Sequence, residues 1–166
     1  MVHNILTYKD CLRIVEENDV MKFYMTKHEV CGYEIHIFNY KLAWFEDLKK
    51  PLADSDINAY EMRGITFIFN TDGSLFKRFI MMNKFWNINQ NDDSLLIDLI
   101  EKDINCITYK EDGSLVSFTE LPNGVIKGRS KASFTSDQAV RSTFIYNNNS
   151  EVKRLIDDTI SKDICL

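Results

Sequence analysis

Short β-prone runs on either side of Asp-Gly turns are the feature that most constrains the fold of this chain. Residues 65–69 (Ile-Thr-Phe-Ile-Phe) and 75–80 (Leu-Phe-Lys-Arg-Phe-Ile) flank the turn sequence at 70–73, which ends in Asp-Gly. Asp-Gly between two such runs is a strong short-range signal for a β-hairpin. A second pair of runs, at 107–109 and 115–118, flanks Lys-Glu-Asp-Gly-Ser. We therefore expect an α+β protein in which antiparallel β-sheets are flanked by helices.

Three further strands are indicated by residue type. Residues 33–40 alternate apolar and polar positions, which predicts a half-buried antiparallel strand with Ile35 and Ile37 on one side and His36 and Phe38 on the other. Residues 21–25 form a shorter candidate. Residues 125–131 are the expected partner of the strand that follows Lys110. Residues 94–100 fit either a short helix or a buried strand, and periodicity does not decide between them.

Helices are indicated by apolar periodicity and by capping residues. The first is predicted at 8–17 with Thr7 as its N-cap, the second from the N-cap Ser136 to about residue 146, and the third at 151–160 with Ser150 as its N-cap. Between the strands, Trp44 and Phe45 form an aromatic pair. For this pair we prefer packing in the core over stacking on a base.

Size, charge and cysteine content narrow the protein class. The 166 residues are enough for a single domain, 1–166, with a hydrophobic core, and the net charge of −5 argues against a generally basic nucleic-acid coat. The four cysteines and three histidines are dispersed, so we expect no zinc site and no protein-held metal cluster. No apolar run is long enough to cross a membrane and no signal-peptide pattern is present, so a cytoplasmic protein is expected.

Lys110, in the second Asp-Gly segment, permits two interpretations. Residue types alone favour an ordinary hairpin with a charged, solvated tip. The chemical alternative is a nucleophilic lysine held at the end of a strand. Because a free lysine amine has a pKa of about 10.4, it would need surroundings that lower this value before it could attack an electrophile.

Four segments, in order, carry a resemblance that favours the second interpretation. The segment at 110–118, Lys-Glu-Asp-Gly-Ser-Leu-Val-Ser-Phe, resembles the Lys-x-Asp-Gly motif of covalent nucleotidyltransferases, and most closely that of the bacteriophage T4 RNA ligase 1 family. Residues 61–67 (Glu-Met-Arg-Gly-Ile-Thr-Phe), 83–89 (Asn-Lys-Phe-Trp-Asn-Ile-Asn) and 129–139 (Arg-Ser-Lys-Ala-Ser, then Ser-Asp-Gln-Ala) are similar to three further segments of that family. A lone Lys-x-Asp-Gly is a weak signal, whereas four segments in order are specific.

The resemblance implies the N-terminal part of a ligase adenylation domain that uses ATP and Mg²⁺. Lys110 would attack the α-phosphorus of ATP to form lysyl-AMP, with Asp112 as the essential carboxylate of the motif. AMP would then pass to an RNA 5′-phosphate, and a 3′-hydroxyl would displace it. The residues that the resemblance implies at the nucleotide are Arg63, Lys84, Trp86, Glu111, Gly113, Arg129 and Lys131.

Two positions depart from the family pattern. Trp86 replaces a phenylalanine, which preserves a ring face for stacking, and Arg129 replaces a lysine. Strand periodicity would place Lys127, Arg129 and Lys131 on one face of the strand at 125–131. This basic row is either a solvated face or a source of phosphate contacts.

Later motifs of the family, including a Lys-x-Lys segment and a metal-placing glutamate, are not recognisable after Lys131. The expectation is a split or truncated RNA ligase acting in RNA repair on RNA ends, including those of tRNA, with a second chain as partner if the enzyme is split and no membrane association. A further explanation left open is that residues outside the recognised motifs fill the missing roles. The alternative is a catalytically inactive, ligase-derived protein that binds nucleotide or RNA or has a regulatory role. A capping-type guanylyltransferase is disfavoured by the flanking segments.

Overall fold

The computed structural model describes residues 5–100, 106–109 and 112–161. The chain divides into two units, the first formed by Met1–Asn83 with Ser114–Leu166 and the second by Lys84–Gly113. Among the described residues, no helix is both long and apolar enough to span a bilayer. The α+β architecture with antiparallel sheets and flanking helices is confirmed.

The first unit contains two antiparallel sheets. The larger has the order β1-β2-β3-β4 and the smaller pairs β5 with β6. The strands are β1 (Phe23–Val30), β2 (Tyr33–Tyr40), β3 (Arg63–Phe69), β4 (Leu75–Phe79), β5 (Ser117–Glu120) and β6 (Ile126–Arg129). The helices of this unit are α1 (Tyr8–Glu17), α2 (Phe45–Lys49), α4 (Asp137–Asn148) and α5 (Ser150–Ile160), and α3 (Leu96–Ile100) belongs to the second unit.

The helix boundaries follow local capping chemistry. Helix α1 begins after Thr7, whose hydroxyl accepts a hydrogen bond from the Asp10 backbone N–H while the Asp10 carboxylate accepts one from the Thr7 N–H. This reciprocal capping box satisfies two N–H groups that the helix leaves unpaired. Helix α4 begins after the predicted cap Ser136. The predicted Ser150 cap is wrong by one residue, because Asn149 accepts from two backbone N–H groups of α5.

The predicted hairpin at 65–80 is confirmed as β3 and β4. Asn70 N–H donates to the Ser74 carbonyl at 2.8 Å, and Gly73 N–H donates to the Asn70 carbonyl at 2.9 Å. Gly73 has a φ of +82°, a conformation that glycine adopts at little cost. The turn chemistry at 70–73 therefore determines this connection.

Strand β2 is buried on both faces, so the prediction of a half-buried strand is wrong. On one face Ile35 and Ile37 join a cluster with Leu121 and Phe134. On the other face Tyr8 of α1 contacts the rings of His36, Phe38 and Phe67. His36 is only 5% exposed. Burial of this polar ring is compensated because its two nitrogens are hydrogen bonded to Tyr8 and to Glu34, each at 2.7 Å.

Three other segments differ from, or resolve, the sequence prediction. Strand β1 runs to Val30, beyond the predicted 21–25, because it is an edge strand and its polar residues 26–29 need not be buried. Residues 107–109 were predicted as a strand, but residues 106–109 form none, and Tyr109 is 93% exposed. High β-propensity without a pairing partner does not produce a strand. The ambiguous segment 94–100 contains the short helix α3.

The two residues of the aromatic pair, Trp44 and Phe45, differ in burial. Phe45 begins α2 and is half-buried, whereas Trp44 is 80% exposed. The preferred interpretation, packing of both rings in the core, is therefore wrong for Trp44. Helix α2 is anchored instead by Leu48, which is 1% exposed.

Candidate phosphate- and nucleotide-binding cavity

A cavity of about 340 Å³ lies within the first unit, and its size is within the range of small-molecule sites. Its walls come from the start of β3, the segment before β5, the turn after β6 and the start of α4. The lining residues are Arg63, Met81, Ser114, Leu115, Ser130, Lys131, Ala132 and Gln138. Segments that are distant in the sequence therefore converge on one concave surface with two cationic side chains.

Arg63 is the first residue of β3 and is half-buried at the cavity wall. Its backbone is paired with Asn39 of β2 at an irregularity in the strand register between Phe38 and Asn39. Burial raises the pKa of the nearby Tyr40 hydroxyl, and the positive charge of Arg63 opposes that rise. The guanidinium thus imposes a positive field on this part of the unit.

Lys131 supplies the second positive charge. It lies in a turn closed by a 2.9 Å hydrogen bond from the Ser130 N–H to the Ser133 carbonyl. Its Nζ donates to the Tyr40 carbonyl at 3.2 Å and lies 4.5 Å from the centroid of the Tyr40 ring. These contacts hold the ammonium group in one position at the cavity.

Gly64 and Asn39 fix the Lys131 backbone against β3. Gly64 has a φ of +91°, and a Cβ at this position would lie 2.8 Å from the Lys131 carbonyl oxygen and 2.9 Å from Met81 Sδ. Asn39 is fully buried and donates from Nδ2 to the same Lys131 carbonyl at 3.2 Å. The separation between the two cationic walls of the cavity therefore depends on a glycine and on a buried amide.

Arg129 is fully buried and does not line the cavity. Its Nε donates to Thr119 Oγ1 at 3.1 Å and its Nη1 to the Gly64 carbonyl at 2.9 Å. Strand β6 ends at Arg129, so the predicted row on one strand face does not extend to Lys131. Arg129 instead supports the Gly64 backbone from behind the cavity.

The α4 wall is held by close contact with β6. The Gly128 N–H donates to Thr143 Oγ1 at 2.8 Å, and a Cβ on Gly128 would lie 2.0 Å from Ser142 Oγ. This close approach holds α4 against β6, and Gln138, in the first turn of the helix, lines the cavity.

The remaining residues implied by the resemblance belong to the second unit. Lys84 Nζ lies 4.6 Å from the centroid of the Trp86 ring, in a cation–π contact. Asp112 and Gly113 are exposed. Lys110 and Glu111 lie outside the described residues. The structure therefore brings Arg63 and Lys131 together at the cavity and, separately, pairs Lys84 with Trp86.

The described lining suits an anionic organic ligand. Arg63 and Lys131 can bind phosphate oxygens, hydroxyl and amide groups can accept or donate hydrogen bonds, and Met81 and Leu115 offer apolar contact. Among the described residues, the lining contains no carboxylate, and no group of three or more histidine, cysteine, aspartate or glutamate side chains is suited to a metal ion. The described lining thus offers two positive charges to an anionic ligand.

Sequence reasoning missed the residues that support the cavity, namely Asn39, Thr119 and Met81. Asn39 carried a signal, because it is a polar residue at an otherwise apolar position of a predicted strand. Thr119 and Met81 carried none, since threonine and methionine are ordinary at a strand and at a strand end. A comparison with models of known protein families finds no match for this chain.

Proposed function

We propose that this protein is an ATP-dependent RNA ligase that forms lysyl-AMP at Lys110. The observation that carries the proposal is the composition of the cavity wall. Seven of its eight lining residues belong to the segments 61–67, 110–118 and 129–139, which were singled out from the sequence. Of the residues that the resemblance implies at the nucleotide, Arg63 and Lys131 line this cavity, and five further lining residues come from the same segments.

The charge of the cavity supports nucleotide chemistry. Arg63 can hold a phosphate with two parallel hydrogen bonds, and Lys131 adds a second positive charge on the opposite side of the Gly64 contact. Charge that develops on the α-phosphate and on departing pyrophosphate would be stabilised by these two groups. The same positive field would favour the neutral form of a lysine that enters it.

Lys110 lies close to the lining residues in the sequence. It precedes the lining residue Ser114 by four residues, and a chain of four residues spans at most about 14 Å. In the proposed step, the neutral amine attacks the α-phosphorus in line, an N–P bond forms, and the bond to pyrophosphate breaks as the nitrogen loses a proton. An RNA 5′-phosphate then takes AMP from the lysine, and a 3′-hydroxyl displaces AMP to close the strand.

The test is incubation of purified protein with α-labelled ATP and Mg²⁺, followed by a denaturing gel. A label that survives denaturation in the wild type and is lost in Lys110→Ala is expected. Lys131→Ala should lose most of the label, because its ammonium group lines the cavity. Lys127→Ala is the matched control, since Lys127 is a lysine of β6 outside the lining and should retain the label.

Two other results would change the conclusion. Absence of label in every protein would refute lysyl-AMP formation by this chain. If equilibrium dialysis nevertheless showed ATP binding that depends on Arg63 and Lys131, a binding or regulatory protein derived from a ligase would be the better interpretation. Equal labelling of the wild type and Lys110→Ala would place the covalent bond at another residue.

A further inference from the structure

Trp44 presents a large aromatic side chain to solvent from a fixed backbone. It is 80% exposed. The backbone N–H of Trp44 donates to Asp47 Oδ2 at 2.9 Å, and the backbone carbonyl of Trp44 accepts from the Leu48 N–H at 3.1 Å. Because Leu48 is buried, the backbone beneath the indole is anchored to the core. An exposed indole on an anchored backbone can stack on a ligand without the cost of ordering a loop.

Other exposed apolar side chains lie on the segment of Trp44 and on the segment bonded to it. Residues 19–22 and 41–50 form one surface, because the Lys41 N–H donates to the Lys22 carbonyl at 2.9 Å and the Leu42 N–H donates to the Met21 carbonyl at 3.0 Å. We name this surface the Trp44 patch. Met21 and Leu42 are 46% and 58% exposed within it.

The charge of the Trp44 patch is opposite to that of the protein. Its ionisable residues are Lys22, Lys41, Lys49 and Lys50 against Asp19, Glu46 and Asp47, whereas the whole chain has a net charge of −5. Lys22 Nζ donates to Asp47 at 2.6 Å, so these two charges offset each other, and Asp19 accepts from a backbone N–H at 2.8 Å. The remaining charges of the patch are those of Lys41, Lys49 and Lys50 against those of Asp19 and Glu46. The patch therefore offers lysines next to an exposed ring.

This combination matches single-stranded nucleic acid, which binds by phosphate contacts to cations and by stacking of bases on aromatic rings. Stacking on an aromatic ring tolerates any base, so no base-specific hydrogen bonds are required. Lysines and an exposed indole would also suit binding to a membrane surface, but the position of the patch favours RNA.

The Trp44 patch follows directly in the chain after Tyr40, which contacts a residue of the cavity wall. Lys131, which lines the cavity, donates to the carbonyl of Tyr40, and Trp44 follows four residues later, a span of at most about 14 Å. We infer that the patch binds the RNA strand whose end is placed in the cavity, with Trp44 stacked on one of its bases. The choice of RNA as the ligand rests on the proposed function.

The test is a fluorescence-anisotropy titration of the full chain with a short, dye-labelled, single-stranded oligoribonucleotide at low salt. Trp44→Ala is expected to raise Kd by about 5- to 150-fold, the effect of losing one base–aromatic stack. Trp44→Phe should retain most of the affinity, because it keeps a ring face. Phe144→Ala is the matched control, since Phe144 is an aromatic residue of α4 in the same unit and is 64% exposed.

The outcomes separate this inference from the proposed function. Labelling of the wild type by ATP needs no RNA, and the titration needs no catalysis, so either result can fail while the other stands. Equal Kd values for Trp44→Ala and Phe144→Ala, or no RNA binding by the wild type, would overturn the inference. Trp44-dependent sedimentation with vesicles of anionic lipid, without Trp44-dependent RNA binding, would also overturn it in favour of a membrane surface.

Discussion

Substitution of Gly64 by alanine provides a direct test of how the cavity wall is built. Two costs add at this position. The φ of +91° is a conformation that residues with a Cβ rarely adopt, which costs about 1–2 kcal/mol. The new Cβ would also lie 2.8 Å from the Lys131 carbonyl oxygen, a backbone atom held by Asn39, and forced packing of this kind costs about 1–3 kcal/mol. We expect a total loss of about 2–5 kcal/mol in the free energy of unfolding.

Gly73→Ala is the matched control for this experiment. Gly73 has a similar φ of +82°, but a Cβ there would meet no atom within 4 Å. It should therefore carry only the conformational cost of about 1–2 kcal/mol. The difference between the two variants isolates the steric contact with Lys131 and Met81.

Urea unfolding and thermal denaturation measure both variants. For a domain of this size each kcal/mol lowers Tm by about 2–4 °C, so Gly64→Ala should lower Tm by about 4–20 °C and Gly73→Ala by about 2–8 °C. Equal destabilisation by the two substitutions would refute the argument, because it would mean that the Gly64 position can accept a methyl group without displacing the Lys131 turn.

Three further predictions concern single side chains. Tyr8→Phe removes the 2.7 Å hydrogen bond to the buried His36 and should lower the unfolding free energy by about 1–3 kcal/mol, measured in urea; an unchanged value would contradict the bond. Burial raises the pKa of the Cys11 thiol, so iodoacetamide followed by mass spectrometry should modify the exposed Cys31 in native protein and spare Cys11. Burial opposes ionisation of Asp47, but hydrogen bonds hold its pKa below the ordinary value. Because the pKa of Asp47 is lower in the folded than in the unfolded protein, its ionised form stabilises the fold above about pH 3.9, and this stabilisation is lost as the pH falls below that value. The unfolding free energies of the wild type and Asp47→Asn should therefore converge only in that acidic range.

The sequence alone determined the elements whose boundaries rest on local chemistry. Thr7 and Ser136 mark helix starts because their hydroxyls bond to N–H groups three residues away. Asp72-Gly73 marks the hairpin because only a few residues favour that turn. The same reasoning failed at residues 107–109, because a strand also needs a partner strand, and propensity does not supply one.

The candidate site was predictable in part. Arg63 and Lys131 were chosen by motif and do line one cavity. Arg129 was chosen by the same route, but it is buried behind the wall and bonded to the Gly64 carbonyl. A motif identifies residue types along the chain, whereas the direction of a side chain depends on the elements packed around it.

Tertiary structure alone decided which surfaces are covered. Strand β2 carries an alternating pattern, yet both of its faces are buried, because α1 covers one and Leu121 and Phe134 cover the other. Trp44 is a residue type that is often buried, yet it remains exposed, because Leu48, four residues later, occupies the core position. Local sequence determines the conformations that a segment prefers, but burial requires contacts from distant segments, and these exist only in the folded chain.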